Sequence, residues 1–281
     1  MNVFPTKITQ FLCFALFLSV SFSCYKTIDA VPRPSDFTKA NKEKIGDLVH
    51  VAILANTTEW PVLTNTPPYD TSTYWYIQKM YDQITNSMHL DVRSPEDNSW
   101  DEDRQWRVTI LKNDTTKTAF TTPGGNFYIS TGLLKDLQEE YELAYIMAFE
   151  SVLMNENYLF NTLVNEFNTQ TLKTAIAQTP SAKNTLLDEI ALFISDTNYD
   201  SLAVARVDEL TAEVLCTTSI FDRLGLLPLL ERWDVSVKWI YTRSYAGRTD
   251  YIQNYEFEYS DDCGNFRTDG GYQRYVLDHL E

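Results

Sequence analysis

Apolar side chains recur at helical spacing along much of the chain, and a short central stretch interrupts that rhythm. From Ser72 to Met88 the residues Trp75, Ile77, Met80, Tyr81 and Ile84 form one packing face, with Asp70 or Thr71 placed to cap it, so a helix is expected there. Trp106 to Leu111 alternates as a strand does, and Asn113-Asp114 signals a turn. Phe127 to Ser130 is β-favouring and follows Pro123-Gly124-Gly125, so Thr118 to Leu134 begins as a strand pair. Past it, Leu143, Ile146, Met147, Glu150 and Leu153 or Met154 return to helical spacing. That spacing sets the Glu150 carboxylate among apolar neighbours on a buried helix. Ile45 to Ala55 is apolar without a decisive period and stands as strand or helix. Asn155 to Tyr199 is helical in tendency with a break at Thr179-Pro180-Ser181, and another helix is expected from Ser201.

Composition adds a filled core and an acidic surface. The 281 residues are 44% hydrophobic and 14% aromatic, enough for one large domain. A formal charge of −16 disfavours a nucleic-acid backbone or an anionic membrane surface as a general partner. The acidic stretch Asp91 to Asp103 reads as a solvated insertion rather than a calcium loop, since its spacing matches no EF-hand.

Residues 1–23 read as an export signal: Lys7 precedes an apolar run from Ile8 to Phe22 that is short for a membrane span. Val20-Ser21-Phe22-Ser23-Cys24 resembles a bacterial lipobox, which implies cleavage before Cys24 and a lipid on its thiol; plain periplasmic or secreted export is the alternative. Residues 24–44 are polar, with Pro32 and Pro34, and read as a tether to a domain spanning 45–281. In an envelope compartment Cys216 and Cys263 either pair or stay free.

Thr118-Ala-Phe-Thr-Thr-Pro-Gly-Gly-Asn-Phe-Tyr-Ile-Ser-Thr-Gly-Leu-Leu134, followed by Glu142-Leu143-Ala144, resembles the zinc metallopeptidases typified by the CAAX prenyl endopeptidase, the heat-shock-induced membrane protease and periplasmic assembly proteases. The resemblance implies an α+β, mainly helical, zincin-like fold with a small edge sheet packed on the metal-site helix. In register, the family's HExxH falls on Phe149-Glu150-Ser151-Val152-Leu153. Two imidazoles at i and i+4 would hold zinc while the Glu activates water. Phe149 and Leu153 have no ligating atom, so Glu150 is left as a remnant general base. Glu209-Leu210-Thr211-Ala212-Glu213 is similar to the family's ExxAD, which makes Glu209 the remnant third ligand position. Asp269 stands where the terminal motif has His, with Arg274 near the Arg position.

His50, His89 and His279 are the chain's histidines and lie outside these motifs, so no substitute zinc set is expected and no cofactor is assigned. Two buried carboxylates, Glu150 and Glu209, need a shared proton, water or a cation such as Arg206 or Arg274. An aspartic-type mechanism lacks its signature. In the family an extended peptide adds a strand beside the sheet, so Asn126, Phe127, Tyr128, Ile129 and Ser130 are the expected peptide-binding strand if it is an open edge. The reading is therefore an exported, lipid-anchored protein of the bacterial envelope that binds a peptide or partner segment without catalysis. The alternatives are an active metalloendopeptidase with unconventional ligands and a purely structural envelope lipoprotein.

Overall fold

Three short strands form the frame on which the helices are arranged. In a computed structural model describing residues 36–64, 70–88, 106–178, 184–223, 225–234, 236–259 and 271–280, these are β1 (Arg107–Leu111), β2 (Ala119–Thr122) and β3 (Asn126–Ser130). The order is β1-β3-β2: β3 pairs parallel with β1 (Val108 opposite Phe127) and antiparallel with β2 (Phe120 opposite Tyr128). Gly124 and Gly125 turn the hairpin at φ 95° and 93°, a region costly for any residue with a Cβ. β3 leads into α3 (Thr131–Asp136), whose first turn Ser130 caps by accepting from Leu133 N–H at 3.2 Å.

Helices α1 (Lys39–Ala55), α2 (Asp70–Met88), α4 (Glu140–Asn155), α5 (Tyr158–Ala177), α6 (Thr185–Asp196), α7 (Ser201–Thr218), α8 (Leu226–Arg232), α9 (Lys238–Thr242), α10 (Arg248–Tyr259) and α11 (Gly271–Tyr275), with a 3-10 turn at Leu277–His279, complete the described elements. The α+β, mainly helical class expected from the resemblance is the one observed. α4 is the central helix, its residues from Glu142 to Asn155 buried, and it packs against α2, α5, α7, α8 and the sheet. Glu142 fixes its first turn by accepting from Gln138 N–H at 2.7 Å and from the Arg232 fork at 2.8 and 2.9 Å, which ties α4 to α8. The hairpin turn seats on α1 at Gly46, where an added Cβ would lie 1.3 Å from the Pro123 carbonyl oxygen.

Several expectations are refined. α1 settles Ile45 to Ala55 as helix, and it begins inside the stretch read as a tether because Thr38 and Asn41 form a capping box. Ile77, Met80, Tyr81 and Ile84 pack inward, but Trp75 is 55% exposed and lies against Lys79 and Tyr275 instead. The export signal with Cys24, the acidic stretch 91–103, the break at 179–181, His89, Cys263 and Asp269 lie outside the described residues. Cys216 is disulfide-bonded. No helix among the described residues is long and apolar enough to cross a membrane.

Candidate functional site

α4 carries Phe149, Glu150 and Leu153 into the interior, and none of the three is more than 3% exposed. The Glu150 carboxylate is engaged mainly through one oxygen. Its Oε1 accepts from Arg243 Nε at 2.8 Å and from Trp239 Nε1 at 2.9 Å, and its Oε2 lies 3.5 Å from Arg243 Nη2. Arg243 is itself buried, donates to the Thr197 carbonyl at 2.7 Å and lies over the Tyr199 ring at 4.9 Å. A buried carboxylate needs such a partner, because desolvation of an unpaired charge costs several kcal/mol, on the order of 3–5 when one member of a pair is lost.

The helix facing α4 brings a second carboxylate, and it is Asp208 rather than Glu209. Asp208 accepts from Arg248 Nε at 3.0 Å and Nη2 at 2.7 Å, and from the Tyr145 hydroxyl at 2.8 Å. Burial pushes the Asp208 carboxyl up, against the pull of Arg248 and the tyrosine hydroxyls. Burial, and then the Asp208 charge, also raise Tyr145 well above the ordinary phenol range, so it stays a donor. The Arg248 guanidinium lies 5.2 Å from the Phe149 ring centroid and 5.8 Å from that of Trp239, and it donates to the Arg243 carbonyl. Phe149 and Trp239 meet edge to face at 5.5 Å.

Glu209 sits one helical step round, 20% exposed, paired with Arg206 at 2.6 Å and accepting from the Tyr251 hydroxyl. Glu150 and Glu209 therefore hold separate partners, and neither expected cation serves Glu150: Arg206 pairs with Glu209, and Arg274 is exposed over the Tyr275 ring at 5.2 Å. The cation that pairs with Glu150 is Arg243. His50 bonds the Tyr128 hydroxyl at 2.6 Å.

The expected peptide strand needs correction. Asn126, Phe127, Tyr128, Ile129 and Ser130 form the central strand, hydrogen-bonded on both sides and buried throughout, so they cannot accept an added strand. The outer side of β1 is covered: Leu63 N–H bonds Ile110 O at 2.8 Å, and Ile110 N–H and Val108 N–H bond Tyr74 and Gln78 of α2 at 3.1 and 2.9 Å. The sheet's other edge is β2. Ser130 N–H bonds Thr118 O, so by alternation Phe120 and Thr122 turn their main-chain groups to β3, and Ala119 and Thr121 turn theirs outward. Helices α4, α6 and α1 pack against β2, and both residues are buried.

The donor set does not fit zinc. The two His positions carry hydrocarbon side chains, and the neighbouring carboxylates Glu150 and Asp208 are each committed to a guanidinium. Among the described residues no group of three or more His, Cys, Asp or Glu side chains could hold a metal ion. Sequence reasoning missed Asp208, Trp239, Arg243 and Arg248. The available signal was the i,i+4 spacing of Trp239 and Arg243, which sets both toward one side of a helical turn.

No curated protein matches the chain. The model of peptidase family M48 matches residues 87–219, just under half of the sequence, a span that contains the sheet, α4 and α7 but not Trp239, Arg243 or Arg248. The chain thus carries a metallopeptidase-like domain, similar over residues 87–219 to peptidase family M48.

Proposed function

We propose that this is an exported envelope protein, lipid-anchored through Cys24, whose metallopeptidase-like domain captures an extended peptide or a partner's segment without cleaving it. The observation that carries the non-catalytic reading is the Glu150 carboxylate, paired with Arg243, bonded by Trp239 and 3% exposed. A general base must reach the proton it removes, directly or through one water, and this carboxylate is buried with a guanidinium and an indole on its Oε1. What supports capture is β2. It is the sheet edge whose main-chain groups at Ala119 and Thr121 face away from β3, both residues being 2% exposed, and the Thr121 hydroxyl is buried without a hydrogen-bond partner among the described residues. Entry of a strand there requires α6 to give way.

The test is photo-crosslinking in cells from a probe at Thr121, with a probe at Asn126 on the central strand as control. Adducts at Thr121 and none at Asn126 are expected. Their absence at both positions leaves a purely structural envelope protein. Zinc analysis and a casein assay with and without chelator accompany it, and stoichiometric zinc with chelator-sensitive cleavage abolished by Glu150→Gln would overturn the non-catalytic reading. Lipid labelling lost in Cys24→Ser, and retained in the parent, checks the anchor.

A further inference from the structure

Two carboxylates from facing helices, Glu150 and Asp208, are 3% exposed each, and two guanidiniums, Arg243 and Arg248, are 1% and 2% exposed beside them. The four groups make a neutral set in a place where burial forbids net charge. Arg248 is the member that meets the position of the first expected ligand: its guanidinium lies over the Phe149 ring and forks onto Asp208. We infer that Arg248 is the resident cation of the site, occupying with Arg243 the electrostatic place that a metal ion would hold between α4 and α7.

Three features support this beyond the ion pairs themselves. Arg248 is walled by two aromatic faces, Phe149 and Trp239, which attract a cation and exclude water. Its third donor group is spent on the Arg243 carbonyl, so its fork has one orientation. Asp208 is oriented by Tyr145, one turn before Phe149 on α4, so the carboxylate is aimed at the same pocket from the opposite helix. Phe149 is then explained as a wall for a guanidinium, a role an imidazole at that position would fill less well.

A consequence is that restoring the two imidazoles does not restore a metal site while Arg248 remains, because Asp208 is taken and a second cation is repelled. Zinc per chain is measured after zinc loading and desalting in F149H/L153H and in F149H/L153H/R248M. The first is expected to hold little zinc, and the second about tenfold more, since two imidazoles and a released carboxylate supply three donors. Equal zinc content in the two overturns the inference. Should the triple variant fail to fold, refolding yield of Arg248→Ala is followed with millimolar methylguanidinium and with its neutral analogue methylurea. Rescue by the cation alone supports a resident charge. Equal rescue by both, or by neither, reduces Arg248 to packing and overturns it.

Discussion

Glu150 and Glu209 are the two acidic positions of one expected site, yet they live under different physics. Glu150 is buried on α4, paired with Arg243 at 2.8 Å and bonded by Trp239. Glu209 stands at the rim of α7, paired with Arg206 at 2.6 Å, with the two side chains 20% and 37% exposed. The rim pair is the shorter of the two and the less consequential. Water screens it and is ready to replace either partner, whereas nothing replaces Arg243 for Glu150. What distinguishes the interior pair is the penalty for breaking it.

The largest expected effect follows from that penalty. Arg243→Met leaves the Glu150 charge buried and unpaired and should cost about 3–5 kcal/mol of folding stability, read by denaturant titration. Glu150→Gln combined with Arg243→Met removes the stranded charge and should recover most of the loss. A loss no greater than that of a surface substitution in the single variant, or no recovery in the double, would break the comparison. Next, Tyr145→Phe removes one donor from Asp208 but leaves the Arg248 fork in place, and a loss of about 1–2 kcal/mol is expected. That value places the second carboxylate in the interior class. Glu209→Gln, at the rim, should change stability by less than about 1 kcal/mol, and the change should shrink in high salt. A rim effect as large as that of Arg243→Met would show that Glu209, not Glu150, carries the site.

The parts of this arrangement legible in the sequence are those set by local rules. Pro123-Gly124-Gly125 needs positive φ, the apolar period after Glu142 needs a buried helix, and both appear where the sequence puts them. The strand order was not legible, because the parallel pairing of β3 with β1 joins segments across a connection whose course no local pattern encodes. The run Phe127-Tyr128-Ile129 did hint at it, since apolar residues on both faces suit a central strand better than an edge. The counter-ions were not legible either. Glu150 is separated from Arg243 by 93 positions and Asp208 from Arg248 by 40, and a need for a cation does not say which arginine the fold delivers. Both arginines also lie beyond residues 87–219, so the family pattern that covers α4 is silent on them.

The smallest effect tests whether half-buried polar pairing outside this cluster obeys the same rule. His50 on α1 bonds the hydroxyl of Tyr128 on β3 at 2.6 Å, joining helix to sheet. Burial, and then the Arg107 charge, lower its pKa below the ordinary 6.5, with Asp47 opposing. The folded state thus binds this proton less readily than the unfolded chain. Its contribution to stability is present above 6.5 and is lost as pH falls through the lowered folded value. His50→Asn should flatten the decline of stability on going from neutral toward mildly acidic pH, while leaving the profile above 7 parallel to that of the parent. Denaturant midpoints across that range measure it. An unchanged acidic slope would mean that the pairing of His50 with Tyr128, unlike that of Glu150 with Arg243, does not depend on which protonation state the interior accepts.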